Sequence, residues 1–508
     1  MIAVRRTALK RLGVRLERRR FVGGSLATAT LLVFGDAWPQ PAGPVQSGEL
    51  TDLTIAELAR LIRARAVSPV ELTRAYLERI ERLEPQVNAY VTVTADLALK
   101  QARELETELE NGRWRGPLHG IPIGLKDNID TAGVATTAAS ALYADRVPGE
   151  DAEVYRRLQA AGAVLLGKLN MHEFAYGLTS AISHVGPVRN PWSRTHVPGG
   201  SSGGSAAAVS AAMCCGALGT DTGGSIRQPA AFCGIVGLKP TYGLVSIRGV
   251  VPAAESLDHV GPMCRSVGDC ALLLQAIAGY DPRDPVSLDV EPPAYADALE
   301  RSTAALRLGI PRAPYFDRLT ADVAAATDEA LRVLRGLTGE FRDVTLPRVP
   351  DFSTLLAEAY AYHERHLADP AERALYQRAT LERIQAAGDV SMTDYFRARR
   401  ELALARRAIT ETFADVDLLI TPTAPDLPGT IASAESPSVG ADAVPPGRNT
   451  LPFNLYGIPT ISIPCGFGRS GLPIGLQISG PRLGEIDVLA LAHAYEQATD
   501  WHRRSPPL

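Results

Sequence analysis

Two serines in glycine-rich runs and one lysine after an apolar run are the residues of this sequence best suited to chemistry. Ser201 lies in the run GGSSGGS, Ser225 lies in the run GTDTGGS, and Lys126 ends the run GIPIGLK. A serine hydroxyl attacks a carbonyl carbon poorly unless a neighbouring group removes its proton. Burial disfavours the charged form of lysine and lowers its pKa, so a buried lysine can accept that proton near neutral pH. The three residues are therefore candidates for nucleophilic chemistry, although any one of them alone could be a glycine-rich turn or a surface lysine.

Two other glycine-rich patterns compete with this interpretation. Residues 199–203 satisfy G-x-S-x-G, the nucleophile elbow of α/β-hydrolases, with His259 and His493 as candidate bases. That elbow needs a strand directly before the serine, and the preceding segment NPWSRTHVP contains two prolines that exclude a central strand. Residues 162–168 open like a P-loop, but Leu169 stands where Mg²⁺ binding requires Ser or Thr. A Ser-His-Asp esterase and a nucleotide-binding protein are the weaker hypotheses.

The sequence pattern around these residues predicts short strands that alternate with helices. Apolar or alanine-rich segments of suitable length recur at 121–125, 163–166, 206–217, 418–421 and 460–464. Such alternation predicts an α/β fold with a largely buried sheet. Residues Thr54 to Glu57 form a capping-box pattern that predicts a helix start. A second helix is expected to begin after Ser68 and to stop at Pro85.

The domain organisation follows from where these strands recur. Apolar strand segments lie near both ends of the stretch 48–508, which indicates one large catalytic domain rather than two. The stretch from about 322 to 413 is charge-rich and mostly helical in pattern. We expect it to form a helical insertion that caps the site.

Composition excludes several classes of protein. The 508 residues are 46% hydrophobic and 21% charged, with a net charge of −4. This balance excludes a wholly disordered chain and argues against a nucleic-acid binder that works by neutralising phosphates. The six cysteines form no C-x-x-C pair and have no histidine at zinc spacing, so a metal site is not expected.

The first 47 residues have a different character from the rest. The first twenty hold eight basic residues against the single acidic Glu17, and an uncharged stretch follows at 21–35. A basic segment before an apolar one is the secretory pattern, and Arg18-Arg19-Arg20 resembles a twin-arginine motif. The segment 1–47 is expected to be an export signal with a linker, giving a periplasmic or secreted protein. The alternative is a basic tail on a cytoplasmic enzyme.

The serine and lysine motifs, in this order, resemble the amidase signature family. The similarity is densest over 116–262 and includes the runs GKLNMHEFAYG, GPVRNP and FCGIVGLKPT. A second dense patch covers 454–477 and contains NLYGIPTISIPCGF. The resemblance implies a mixed central sheet sandwiched between helices and hydrolysis of amides by a Ser–cis-Ser–Lys triad without a cofactor.

The resemblance also implies a role for each site residue. Ser225 is the nucleophile, Ser201 relays the proton after a cis peptide bond with Gly200, and Lys126 is the base. The implied oxyanion donors are the backbone N–H groups of Thr222, Gly223, Gly224 and Ser225. The residues implied to hold the loop in place are Ser202, Asp221 and Arg227.

The remaining site residues admit more than one interpretation. Arg227 could instead form an ordinary surface ion pair. Tyr176 is either an edge of the substrate pocket or part of the core. Residues 171–173 are expected to support the site rather than to bind metal. The expected partner is a small-molecule amide, with no nucleic acid, no stable membrane insertion and a possible homodimer.

The branch of the family decides the substrate. One branch is the A subunit of glutamyl-tRNA amidotransferase, which hydrolyses glutamine for a partner and typically carries the run GYYDAYY. The comparable stretch here, 387–397, lacks that run, and an exported enzyme would have no tRNA to serve. Both points favour a stand-alone amidase acting on a carboxylic amide, aryl amide or carbamate. The alternatives are an amidotransferase-like glutaminase and a non-catalytic binding protein of the same fold.

Overall fold

Residues 50–435 and 447–508 are described by the structure, a computed structural model. The export signal predicted at 1–47 lies outside the described residues and stays a prediction.

Within the described residues, eleven strands form one mixed sheet. The strands are β1 Tyr90–Val93, β2 Pro122–Lys126, β3 Val164–Leu169, β4 Gly216–Thr220, β5 Val236–Lys239, β6 Val260–Cys264, β7 Leu308–Ile310, β8 Phe341–Asp343, β9 Leu418–Pro422, β10 Thr460–Phe467 and β11 Pro473–Ser479. Their order across the sheet is β1-β3-β2-β4-β6-β5-β10-β11-β9-β7-β8. Strands β2 to β6 are buried along their whole length, which explains why their sequences show continuous apolar runs rather than alternation.

The pairing of the strands determines where the site lies. Strand β2 pairs in parallel with both β3 and β4, whereas β6 runs antiparallel to its neighbours β4 and β5. Because β2 and β4 are parallel neighbours, their carboxyl ends meet at the same edge of the sheet. Lys126 ends β2 and Thr220 ends β4, so the two side chains are placed side by side.

Helices lie before, between and after these strands along the chain. They are α1 Ile55–Arg63, α2 Pro69–Val87, α3 Ala95–Glu110, α4 Glu153–Ala161, α5 Gly203–Ser210, α6 Arg227–Cys233, α7 Val267–Ile277, α8 Ala321–Leu337, α9 Ser353–Ala368, α10 Pro370–Arg373, α11 Arg378–Ala386, α12 Met392–Thr412, α13 Ile431–Glu435, α14 Leu451–Leu455 and α15 Glu485–Gln497. The predicted α/β fold with a mixed central sheet is confirmed.

One local expectation needs correction. Helix α2 does not stop at Pro85 but continues to Val87 and ends at Asn88, which adopts the left-handed conformation. A proline in the last turn removes only one backbone hydrogen bond of the helix, so the helix tolerates it there. The stretch 322–413, predicted to be mostly helical, includes the short strand β8, which joins the edge of the sheet. The capping box at Thr54 and Glu57 is present as predicted.

Within 50–435 and 447–508, none of the helices combines the length and the apolar character that a membrane crossing requires.

Candidate active site

Lys126 is fully buried at the carboxyl end of β2, and its ammonium nitrogen meets three oxygen atoms. Lys126 Nζ lies 2.7 Å from Ser201 Oγ, 2.7 Å from Thr220 Oγ1 and 3.4 Å from the Thr220 carbonyl oxygen. Burial lowers the pKa of this lysine to about 7, although the negative charges of Asp221 and Asp258 oppose that shift. The amine is therefore partly neutral near pH 7, which is the state that a general base requires.

The three oxygens also orient the lone pair of the neutral amine. A neutral lysine has two N–H donors and one lone pair. The carbonyl oxygen of Thr220 can only accept, and Thr220 Oγ1 is a second acceptor on the same residue. When Thr220 takes both N–H groups, the lone pair faces Ser201 Oγ. Lys126 can then remove the hydroxyl proton of Ser201.

Ser201 is held by its own backbone. The Gly200–Ser201 peptide bond is cis, as the resemblance implies. The Ser201 carbonyl oxygen accepts hydrogen bonds from the backbone N–H of His172 at 3.1 Å and from Ser180 Oγ at 3.2 Å. These contacts fix the residue between Lys126 and the loop that carries Ser225.

Ser225 lies on the loop between β4 and α6, and its side chain is almost completely buried. The backbone N–H of Ser202 donates to the Ser225 carbonyl oxygen at 3.2 Å, which places the two serine segments side by side. The Ser225 hydroxyl forms no hydrogen bond with any described residue, and none joins it to Ser201 Oγ. Catalytic hydrogen bonds often tighten only when substrate binds.

The loop 221–225 offers backbone donors for an oxyanion, but fewer than the resemblance implies. Gly224 N–H donates to Asp221 Oδ1 at 2.7 Å, so this amide is already occupied. The N–H groups of Thr222, Gly223 and Ser225 have no recorded acceptor within residues 50–435 and 447–508. The set of four implied donors is thus reduced to three by the carboxylate of Asp221.

Asp221 and Arg227 form a buried ion pair that fixes this loop. Arg227 Nε lies 3.0 Å from Asp221 Oδ2, and the two side chains are fully buried. Burial raises the pKa of Asp221, but the Arg227 guanidinium more than offsets this and holds that pKa well below its usual range. The alternative of a surface ion pair for Arg227 is therefore wrong.

Arg227 also links the loop to distant parts of the chain. Its guanidinium donates to the Thr450 carbonyl oxygen, to Asn454 Oδ1 and to Gln477 Oε1 at 2.6 to 2.9 Å. Asn454 Nδ2 in turn donates to Asp221 Oδ1 at 2.9 Å. Segments more than 220 residues apart thus hold the loop 221–225 in place.

The other predicted residues take structural places around this centre. Ser202 Oγ donates to the Thr220 carbonyl oxygen and accepts from the Thr220 N–H, which ties α5 to the end of β4. Glu173 accepts hydrogen bonds from Ser140 Oγ and from the backbone N–H of Gln377, so it anchors the segment before α11. Tyr176 is half-buried against an apolar cluster that includes Phe174.

The competing motifs do not form sites. Lys168 lies within β3 and its Nζ donates to the Ile129 carbonyl oxygen and to Thr136 Oγ1, both at 2.6 Å, so the P-loop pattern is a strand. The segment 190–199 contains no strand, which removes the context of a nucleophile elbow. His259 is buried with Nδ1 2.6 Å from the Leu257 carbonyl oxygen and Nε2 facing Lys239.

Sequence reasoning missed three polar residues that hold the triad. They are Thr220, Asn128, whose Nδ2 donates to Thr220 Oγ1 at 3.2 Å, and Asn454. A usable signal existed for Thr220, because a polar residue at the end of a buried strand faces the residue that ends the parallel neighbour. Asn454 offered no such signal, since only the tertiary fold brings it to Asp221.

The side chains at the open side of the loop are apolar. A Cβ placed on Gly223 would lie 3.4 Å from Leu451 and 3.7 Å from Phe352. Polar groups also contact this loop. Thr222 Oγ1 donates to Asp258 Oδ1, and Thr450 Oγ1 donates to the Gly223 carbonyl oxygen at 2.7 Å. The predicted oxyanion donors are therefore bordered by both apolar and polar groups.

Comparison with known proteins places this geometry in a family. The family model described as Amidase matches residues 71–489. The A subunit of Glutamyl-tRNA(Gln) amidotransferase from Geotalea daltonii is 42% identical over 487 residues, covering 91% of this chain and 100% of the relative. The corresponding subunit from Carboxydothermus hydrogenoformans is 41% identical, covering 91% of this chain and 100% of the relative.

Solved structures agree with the sequence relatives. The native peptide amidase from Stenotrophomonas maltophilia is 34% identical with a TM-score of 0.78, covering 90% of this chain and 98% of that one. A bacterial aryl acylamidase of the amidase signature enzymes is 26% identical with a TM-score of 0.81, covering 89% of this chain and 98% of that one. The chain belongs to the amidase signature family and is an enzyme that hydrolyses amide C–N bonds.

Proposed function

We propose that this enzyme hydrolyses a carboxylic amide through an acyl-enzyme on Ser225. The observation that carries the proposal is the 2.7 Å contact between the buried Lys126 and Ser201, beside the loop that presents Ser225. Lys126 takes the proton of Ser201 as Ser201 takes the proton of Ser225. The Ser225 oxygen then bonds to the amide carbon, and the oxyanion faces the free N–H groups of Thr222, Gly223 and Ser225.

The second half of the reaction reverses the proton path. The proton held by Lys126 returns through Ser201 to the nitrogen of the leaving amine as the C–N bond breaks. Water then gives a proton through Ser201 to Lys126 and attacks the ester carbon on Ser225. As the ester C–O bond breaks, that proton returns through Ser201 to the Ser225 oxygen, which releases the acid and restores the free serine. None of these steps requires a metal or an organic cofactor.

Two candidate substrates follow from different observations. The curated relatives support glutamine, because 41–42% identity over nine tenths of the chain joins it to amidotransferase A subunits. They favour the amidotransferase-like alternative over a stand-alone amidase, and such an enzyme would pass ammonia to further subunits. An uncharged acyl group is the second candidate, because Leu451 and Phe352 beside Gly223 offer it apolar contacts.

The experiment measures hydrolysis of a p-nitroanilide, a fatty amide, a carbamate and glutamine by the wild type and by Ser225→Ala. Ser205→Ala is the matched control, because Ser205 is a buried serine of the same run whose hydroxyl only donates to the Leu218 carbonyl oxygen. We expect Ser225→Ala to lose at least a thousandfold in kcat/KM and the control to stay within severalfold.

The same panel separates the two substrates. Turnover of glutamine alone supports the amidotransferase-like reading, whereas turnover of the other amides supports a stand-alone amidase. Labelling of the wild type by a fluorophosphonate, read as a mass increase on the peptide that contains Ser225, tests the nucleophile without any substrate. Equal activity of Ser225→Ala and wild type would refute the proposed mechanism.

A further inference from the structure

The buried carboxylate of Asp258 lies against the loop that carries the predicted oxyanion donors. Asp258 is 4% exposed, and its Oδ1 accepts the hydrogen bond of Thr222 Oγ1. Its Oδ2 accepts from the backbone N–H groups of Ala253 at 2.9 Å and Ala254 at 3.1 Å. Burial raises the pKa of Asp258 to about 6, although the Thr222 hydrogen bond opposes that shift. Near pH 7 the carboxylate is mostly ionised and can only accept, so the Thr222 hydroxyl is the donor.

Thr222 supplies its backbone N–H as one of the oxyanion donors, and the neighbours of this N–H fix its direction. It belongs to the trans peptide between Asp221 and Thr222. The carbonyl oxygen of that peptide accepts from the His259 N–H at 3.1 Å and from Asn454 Nδ2 at 3.0 Å. Because the N–H and C=O of a trans peptide point in opposite directions, the Thr222 N–H points away from His259 and Asn454. Asp258 and His259 thus hold the Thr222 side chain and the Asp221 carbonyl group.

The segment 251–259 also reaches the other half of the active site. The Val251 N–H donates to the Asn128 carbonyl oxygen at 2.8 Å, and Asn128 Nδ2 donates to the Val251 carbonyl oxygen at 3.2 Å. Asn128 Nδ2 also donates to Thr220 Oγ1, which contacts Lys126. One continuous segment therefore borders both the base and the oxyanion loop.

Side chains from elsewhere in the chain hold this segment. Glu358 of α9 accepts from the Ser256 N–H at 3.0 Å, and Arg406 of α12 donates to the Ser256 carbonyl oxygen at 2.6 Å. The Tyr242 hydroxyl donates to the Glu255 carbonyl oxygen at 2.8 Å. Because the backbone just before Asp258 is anchored in this way, its carboxylate has a fixed position relative to the oxyanion loop.

We propose that Asp258 is a positioning residue for the oxyanion donors. Its carboxylate holds the Thr222 hydroxyl, and this contact keeps the Thr222 N–H directed at the carbonyl oxygen of the substrate as that oxygen becomes negative. Asp258 acts through Thr222, and no bond is made or broken at its carboxylate. This inference rests on the proposed function, and it extends the machinery to a residue outside both the triad and the loop 221–225.

The first test separates the hydroxyl of Thr222 from its N–H. Thr222→Val removes the hydroxyl but keeps the backbone N–H and nearly the same shape, whereas Thr222→Ser keeps the hydroxyl. Because an oxyanion donor acts mainly in the transition state, we expect Thr222→Val to lower kcat at least about tenfold and to leave KM within about threefold of the wild type. Thr222→Ser should recover most of that loss. Rates on the best substrate are divided by the concentration of sites that a fluorophosphonate labels.

The second test asks whether Asp258 acts through Thr222. Asp258→Asn keeps an oxygen for the two backbone N–H groups but turns an amide NH2, which cannot accept, towards the Thr222 hydroxyl. We expect kcat to fall at least severalfold, and the double variant with Thr222→Val to be no slower than Thr222→Val alone, because both changes break the same contact. Asp269→Asn is the matched control, because Asp269 is a buried carboxylate that accepts from the Ile55 N–H at 3.0 Å. Its kcat should stay within severalfold of the wild type.

A trifluoromethyl ketone that carries the acyl group of the best substrate reports on the oxyanion directly. Its carbonyl carbon bonds to the Ser225 oxygen, the serine proton passes to Lys126, and the ketone oxygen becomes an oxyanion. The inhibition constant should therefore rise in Thr222→Val and Asp258→Asn by about the factor by which kcat/KM falls, and it should not rise in Asp269→Asn.

The inference fails if Thr222→Val keeps the wild-type kcat, or if the losses in Thr222→Val and Asp258→Asn multiply in the double variant. It also fails if the inhibition constant stays unchanged while kcat falls, or if Asp269→Asn loses as much activity as Asp258→Asn. Each of these results leaves the dependence on Ser225 intact, whereas an active Ser225→Ala would refute the acyl-enzyme itself.

Discussion

At the scale of single residues, the site depends on the protonation state of Lys126 and on which oxygen atoms accept its N–H groups. Thr220 offers the two acceptors that occupy the amine hydrogens, which leaves Ser201 as the neighbour that the lone pair can meet. The ionised lysine would instead donate to all three oxygens and could accept nothing. Activity is therefore tied to the protonation state of one buried amine.

The first prediction concerns pH. Because the pKa of Lys126 is lowered to about 7 and the neutral form is the active one, kcat/KM should rise about tenfold per pH unit below pH 7 and level off above it. Initial rates on the best substrate between pH 5 and 9 measure this profile. Lys168→Met removes a different buried lysine and should leave the midpoint unchanged, whereas Lys126→Met should abolish the pH-dependent rate. A flat wild-type profile would contradict the assignment of the base.

The sequence predicted that Lys126 and Ser201 lie close together, but it did not predict their other partners. Glycine-rich serine runs and a lysine after an apolar strand are local patterns. The commitment of the Gly224 N–H to Asp221 is not local, because it depends on how Arg227 and Asn454 orient that carboxylate. For this reason the sequence could not indicate that the Gly224 N–H already has an acceptor.

At the scale of elements, the loop between β4 and α6 is positioned by one buried guanidinium. Arg227 joins this loop to the residue before α14, to α14 itself and to β11. Removing one partner of a buried pair costs about 3–5 kcal/mol, because the remaining charge keeps its desolvation penalty. Replacing Arg227 should therefore lower the free energy of unfolding by a measurable amount.

The second prediction is that Arg227→Met lowers the free energy of unfolding by about 3–5 kcal/mol and removes most of the activity. Denaturant unfolding followed by circular dichroism measures the first effect. The matched control is Arg307→Met, which breaks a partly exposed pair with Asp417 and should change the unfolding midpoint much less. Similar losses in the free energy of unfolding for the two variants would show that the buried pair stabilises the fold no more than the partly exposed pair does.

Element boundaries show what local patterns can and cannot decide. Apolar runs predicted β2, β3 and β9 to within about three residues, since a buried parallel strand has a continuous apolar sequence. The sequence pattern does not predict the three-residue strand β8, because so short a segment has no periodicity to recognise. Its place at the sheet edge comes from pairing with β7 alone.

At the scale of the whole molecule, substrate and cellular location are linked. An exported enzyme would not meet tRNA, whereas an amidotransferase subunit must meet it. The curated relatives and the basic segment 1–47 therefore point in opposite directions. A measurement of location bears directly on the choice between glutamine and other amides.

The third prediction, at the scale of the whole chain, is that residues 1–47 direct export of a folded reporter. Arg18→Lys together with Arg19→Lys should abolish that export, since the twin-arginine pair is the recognised feature. Arg5→Lys together with Arg6→Lys keeps the same charge outside the motif and should leave export intact. A reporter that stays inside the cell in every case would favour the cytoplasmic alternative and the amidotransferase-like substrate.

The hydrogen bonds of Arg227 have a consequence for the order of events during synthesis. The nucleophile is translated at position 225, but two of the side chains that fix its loop, Asn454 and Gln477, are translated more than 200 residues later. A ribosome-bound chain that has not yet released β11 carries all three triad residues and still lacks the anchored loop. The loop can therefore reach its anchored geometry only after β11 has left the ribosome.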